Sequence, residues 1–240
     1  MAHGISTGFD AGPLQGPDAH NIIMNNPQQF FSQAKRLKLP AITTDNPALA
    51  HILHTQQKIY DSALALQQYI KKIPNIKENF PKHKLGKQLH LTTTIILSDA
   101  PVTTIKVSLG GFDTHNNQRQ KHDRLLNQLA QSLAALRSTL IEHEHWENTM
   151  VMTYSEFGRR AGENGSKGTD HGTSAPQFLL GGSVKGGFYG KQPSLTQLTN
   201  KNLVHHADFR QLYATVTKDW WNFTSNNPFA NFDSIDCLKN

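Results

Sequence analysis

A mixed α/β fold around a mostly parallel sheet is the class this 240-residue chain predicts, and two patterns predict it. Residues 103–109 alternate Ile105, Val107 and Leu109 with Lys106 and Ser108, the period-two signature of a strand, and stop at Gly110-Gly111. A long amphipathic stretch comes after it at 118–144, then apolar runs at 149–154 (TMVMTY) and 177–180 (QFLL). Strand, helix and strand with a crossover of that length make a βαβ unit, and so a parallel sheet.

Residues 1–83 read as a helical wrapping segment rather than as the opening of the sheet. Asn26-Pro27 is an N-cap followed by proline at the first helical position, and Asn46-Pro47 repeats the signal. Behind Asn46, Ile52, Ile59, Ala63, Leu66 and Ile70 recur at helical spacing, and Pro74 and Pro81 break the chain before the next helical run. Residues 84–98 predict a third helix, with Leu85, Leu89 and Ile96 on one stripe. The helix over 118–144 carries Leu126, Leu129, Leu133, Leu136 and Leu140. A polar, glycine-rich loop is expected at 158–174. The last helix begins near Asp208, which has capping-box spacing to Gln211, and Phe209, Leu212, Val216 and Trp220 form its expected buried stripe. Repeats and low-complexity tracts are absent, so residues 1–240 read as a single domain, mainly helical to 83 and α/β over 84–223.

Composition narrows the function classes. The formal charge is +6 and the sequence pI about 9.4, but the basic residues are scattered and no nucleic-acid-reading motif accompanies them, so a solvated basic surface is the simpler reading. No apolar run reaches the ~20 residues a membrane span needs, and the N-terminus lacks a secretory profile. The single cysteine, Cys237, excludes an internal disulfide.

Functional groups in open α/β sheets gather past the carboxyl ends of strands. That rule selects GGFDTH and SEFGRR, and with them the loop GTDHGTS at 168–174, so Asp113, His115, Glu156, Arg159, Asp170 and His171 are expected on one rim. Imidazole with carboxylate suits a divalent transition metal, zinc or manganese, and a guanidinium suits an oxyanion. Each motif alone has a plainer reading in a chain with 13 histidines. A DxH or DHG can be an exposed loop, Glu156 a strand-end cap, and Arg159-Arg160 surface charge. His122 reads as a structural histidine near a helix start, and His205-His206 stays open. Convergence of three segments is what favours a site.

GGFDTHNNQ, TYSEFGRR, ENGSKGTDHGTSAPQFLLGG, VKGGFYG and ADFRQLYATVTKDWW, in one order from about residue 84 to 221, resemble the bacterial family known as domain of unknown function 1501. That family is grouped with the alkaline phosphatase and sulfatase superfamily. The resemblance implies a three-layer α/β/α fold, with Asp113, His115, Asp170 and His171 as metal ligands, Glu156 as a further ligand or base, and Arg159 on the oxyanion of a small phosphate or sulfate ester. Glu156 stands at the strand end where such enzymes place Asp-His-Gly, and the DHG comes ~14 residues later. Superfamily enzymes open with a strand bearing an Asp ligand and then a nucleophile. Residues 1–83 offer no such apolar strand, so the chain resembles the C-terminal portion of longer, often exported members. A sheet short of its opening strand exposes unpaired backbone and apolar faces, which points to self-association or a missing N-terminal partner segment. The reading from a different class is a non-catalytic structural or interaction protein that keeps the fold.

Overall fold

Local capping chemistry starts the first helices where the sequence places them. In the computed structural model, Asn26 accepts from the Gln29 amide to open α1 (Pro27–Lys35), and Asn46 accepts from the Ala48 and Leu49 amides to open α2 (Pro47–Ile70). His83 caps α3 (Lys84–Leu97) through its Nδ1. The structure describes residues 2–16, 19–37, 44–73, 76 and 80–239. The expected break at Pro74 lies outside them.

Pairing between distant segments, rather than local signals, makes the strands. β1 (Gly4–Ser6), β2 (Asn21–Ile23) and β3 (Thr104–Lys106) form one parallel sheet in the order β2-β1-β3, with Ile5 opposite both Ile22 and Ile105. The expectation that residues 1–83 contribute no strand is therefore corrected: they supply the middle strand and one edge. Each has only three residues, and Gly4-Ile5-Ser6 contains a single large apolar side chain, too little alternation to read as a strand. The parallel sheet thus forms without a βαβ pairing across 104–152. β4 (Met150–Met152) pairs antiparallel with β7 (Leu179–Gly181).

α4 (Gln118–Glu142) links the β3 region to β4. The stretch expected as a loop is a hairpin of β5 (Gly158–Glu163) and β6 (Thr169–Gly172), and beyond it lies the small pair β8 (Leu198–Thr199) and β9 (Asn202–Leu203). α5 (Phe209–Ala214) opens with the full Asp208/Gln211 capping box and runs into a wider π turn over Thr215–Trp220. The fold is mixed α/β. Among the described residues, no helix is long and apolar enough to cross a membrane.

Residue contacts divide the chain into two units, Met1–Gly110 with Arg124–His145, and Gly111–Asp123 with Trp146–Asn240. The first unit has the larger apolar core. Ile5, Ile22, Met24, Leu66 and Ile95 bury together, with Phe30, Phe31 and Ile105 packed against them. The buried faces sit a little off the expected stripes: Ile52 and Ile59 are exposed, Ile95 rather than Ile96 is buried on α3, and Leu125 rather than Leu126 on α4. In the second unit Phe209 is exposed, and Ala214, Thr215 and Thr217 face inward. Thr215 Oγ1 accepts from the Ile235 amide and Asn227 Nδ2 donates to Thr217 Oγ1, so that helix face is covered through hydrogen bonds to the chain beyond it.

Leu66→Ala, at a fully buried position, is expected to lower unfolding stability by about 2–5 kcal/mol in urea titrations. Asp208 sits with its carboxyl near 2, against an ordinary 3.8, because the Arg210 side chain and amide both donate to it. A depressed carboxyl stabilises the fold above its unfolded pKa, and that contribution fades as pH falls from about 4 through 2. Carbon-13 titration is expected to show the low midpoint in the parent and a partial return toward 3.8 in Arg210→Ala, which keeps the amide donor.

Candidate metal centre

The segment after β3 sets the first two side chains by alternation. Thr114 is buried, and its hydroxyl lies 3.3 Å from the Phe112 carbonyl and 3.1 Å from His122 Nε2, while Asp113 and His115 on either side face outward. In extended chain, residues two apart share a side. His122, in the first turn of α4, also meets the Phe112 ring edge-on at 5.5 Å. It is the hydrogen-bonded structural histidine its position suggests.

The hairpin brings the third. In the β5–β6 register Arg159 is opposite His171, so the two share a face. Its turn folds around Asn164: Asn164 Oδ1 accepts from the Ser166 and Gly168 amides at 2.9 and 3.0 Å, and Nδ2 donates to the His115 carbonyl at 3.1 Å. The Asn117 and Gln118 amides donate to the Ser166 and Lys167 carbonyls at 3.1 and 2.8 Å. Gly168 lies flat on the His115–Asn116 peptide, and a Cβ there would stand 2.2 Å from the His115 carbonyl carbon. Only glycine fits. Arg159 adds a second tie, donating to the Thr169 carbonyl at 2.5 Å and to the Phe112 carbonyl, with its Nη2 3.5 Å from Asp113 Oδ1.

Three ligand-type atoms meet as a result. His171 Nε2 is 2.8 Å and His115 Nε2 2.9 Å from Asp113 Oδ1, and the two Nε2 atoms are 3.2 Å apart. The Phe157 ring stacks on His171 at 3.8 Å and 6°, and the Arg159 guanidinium lies over Phe157. Asp113 is held below the usual carboxylate range, first by the His171 hydrogen bond, against an opposing desolvation that is larger than the individual charge effects of His115, His171 and Arg159, which add to the lowering.

Of the six expected site residues, Asp113, His115 and His171 come together as a group able to hold a metal ion. Arg159 touches that group. Asp170, one step along β6, offers it no ligand atom; its Oδ1 is 3.9 Å from the other ring nitrogen of His115, Nδ1. Glu156 is exposed in the bend between β4 and β5, outside the group. Thr114, Phe157, Asn164 and Gly168 also shape the centre, and sequence reasoning misses all four. The polar, glycine-bearing run 164–168 (NGSKG) is the feature that marks the turn, whose positive φ falls on Lys167.

The family described as protein of unknown function (DUF1501) matches residues 58–220, more than half of the chain. The chain belongs to the DUF1501 family. The matched span contains both the 113–115 segment and the β5–β6 hairpin, so the centre lies inside the part shared with DUF1501. No curated protein and no solved structure matches the chain.

The hairpin seam is directly testable through its glycines. Gly168→Ala is expected to destabilise the protein by about 1–3 kcal/mol through overpacking and to raise amide exchange at Asn117 and Gln118. Gly165→Ala, with nothing within 4 Å of the added carbon, is expected to leave exchange at both amides unchanged.

Proposed function

We propose that Asp113, His115 and His171 hold one divalent transition metal, zinc or manganese, and that the chain is a metal-binding domain of a phosphatase/sulfatase-like hydrolase family acting on small anionic esters. The observation that carries the reading is the triangle of Oδ1 and two Nε2 atoms with sides of 2.8, 2.9 and 3.2 Å. The donors fit. A triangle that small lets one ion reach all three atoms at the ~2.0–2.1 Å of metal–imidazole and metal–carboxylate bonds. Two imidazoles and a carboxylate are the hard-to-intermediate set such ions take, with no thiolate required.

The arrangement of the three atoms itself supports an occupant. A carboxylate oxygen and two imidazole nitrogens meet in one place, and any protons present lie on nitrogens that crowd each other at 3.2 Å. A cation relieves that crowding by taking a lone pair from each atom, which ties metal uptake to proton release and weakens it in acid. Bound there, the ion supplies a Lewis acid for the ester oxygen. In the same reading, Glu156 serves as a further ligand or base and Arg159 faces the oxyanion. The three-layer α/β/α arrangement of alkaline phosphatases belongs to this proposal too.

A non-catalytic reading has its own support. The terminal nitrogens of Arg159 already donate to two backbone carbonyls, which leaves it less free for an oxyanion, and a metal between the 113–115 segment and β6 also serves as a staple. The two readings share the metal and part at turnover. Plasma mass spectrometry of the purified chain is expected to find about one equivalent of zinc or manganese, lost in Asp113→Ala and in His171→Ala; content near zero in the parent, or unchanged in both variants, rejects the metal. Hydrolysis of p-nitrophenyl phosphate or sulfate that falls at least tenfold in Glu156→Gln supports the hydrolase. Full metal with no hydrolysis supports the staple.

A further inference from the structure

We propose that Asp170 is a positioning residue of the metal centre: its carboxylate accepts a hydrogen bond from His115 Nδ1–H and so aims Nε2 at the metal, without Asp170 being a ligand. This rests on the metal reading above. Strand alternation puts Asp170 and His171 on opposite faces of β6, so the DHG sequence cannot present both side chains to one ion from the same side. His171 takes the inner face, with Nε2 in the triangle. Asp170 takes the other and comes to the back of His115, its Oδ1 3.9 Å from Nδ1.

An imidazole that gives its Nε2 lone pair to a metal carries its proton on Nδ1, and that N–H needs an acceptor to fix the tautomer and the ring plane. His115 Nδ1 has no hydrogen-bond partner among the described residues, whereas Nε2 has two polar partners. Arg160 approaches from the far side, with Nη1 3.9 Å from the second carboxylate oxygen. Asp170 therefore stands between a guanidinium and an imidazole, and each gap closes to a hydrogen bond with a shift of about 1 Å. Arg160 stands where the β5 ladder is irregular, between the pairs Arg159–His171 and Glu163–Thr169, and from there its guanidinium comes to Asp170. The hairpin thus carries two charged pairs, Arg159 opposite His171 and Arg160 beside Asp170.

Zinc binding to the full chain, measured by competition with a chromophoric chelator, separates a positioning carboxylate from a ligand. Asp170→Ala is expected to keep one zinc per chain with affinity about 10–100-fold weaker, as loss of an outer-shell partner does. Asp170→Asn, whose amide oxygen still accepts from Nδ1–H, is expected within a few-fold of the parent. Nitrogen-15 spectra of the zinc-loaded parent are expected to show a protected His115 Nδ1–H that exchanges freely in Asp170→Ala. Unchanged affinity and unchanged exchange in Asp170→Ala overturn the proposal. Loss of stoichiometric zinc in Asp170→Ala equal to that in Asp113→Ala also overturns it and makes Asp170 a ligand. A parent that takes up no zinc fails differently, by removing the metal reading itself.

Discussion

The centre depends on one close approach, that of the β5–β6 turn to the backbone of residues 114–118. Gly168 rests on the His115 peptide, Asn164 bridges its own turn to the His115 carbonyl, and two further amides of the 117–118 segment close on Ser166 and Lys167. Asn117 and Lys167 both adopt positive φ, so the chain turns sharply on each side of the seam. Once the two stretches lie together, the register of the hairpin decides the rest. Arg159 opposite His171 puts guanidinium and imidazole on the face that meets Asp113.

The side-chain charges at the centre do not build it. Asp113, His115 and His171 are each about half exposed in their side chains, and ion pairs so open to water add little net stability because solvent screens them and ordering the side chains costs entropy. Backbone hydrogen bonds and the steric fit of a glycine on a peptide are insensitive to both. The scaffold is therefore set by backbone geometry together with the Asn164 amide and the Arg159 guanidinium, and Asp113, His115 and His171 are free to serve a ligand. Such a division suits a functional centre, since groups that must gain and lose protons or a metal are poor choices for holding a fold together.

Legibility in the sequence divides along the same line between local and distant. Asn26-Pro27, Asn46-Pro47 and the Asp208/Gln211 box work within a single turn, and all three begin helices at the expected places. Convergence of 113–115 with 171 is as expected, but not along one sheet edge, since β3 and β4 lie in different sheets and it is the β5–β6 hairpin that carries His171. β1 and β2 are not legible, since three-residue strands rich in glycine, serine and asparagine carry no periodicity and exist only through their ladder with β3. The hairpin at 158–172 reads as loop for a related reason. β5 is only partly buried and the central residues of β6 are exposed, so arginine, glutamate and glycine fill positions where a half-buried strand would alternate. The same solvation hides which way Asp170 and His171 point, and only the pairing with β5 fixes that.

The exposure of the ligand set bears on what a bound ion could do. Structural metal sites are closed shells of four protein donors, whereas sites that exchange a water or substrate keep a position open. Three donors with about half of each side chain facing solvent leave such a position, which weighs toward chemistry. The placement of Arg159 weighs the other way, because a guanidinium that ties the Phe112 and Thr169 carbonyls together has committed a donor on each terminal nitrogen to the scaffold. These two facts act on different groups and do not cancel. An open coordination position is a property of the triangle itself, while the oxyanion donor could be supplied by another residue, so the geometry of the triangle is the stronger guide to what the centre can do.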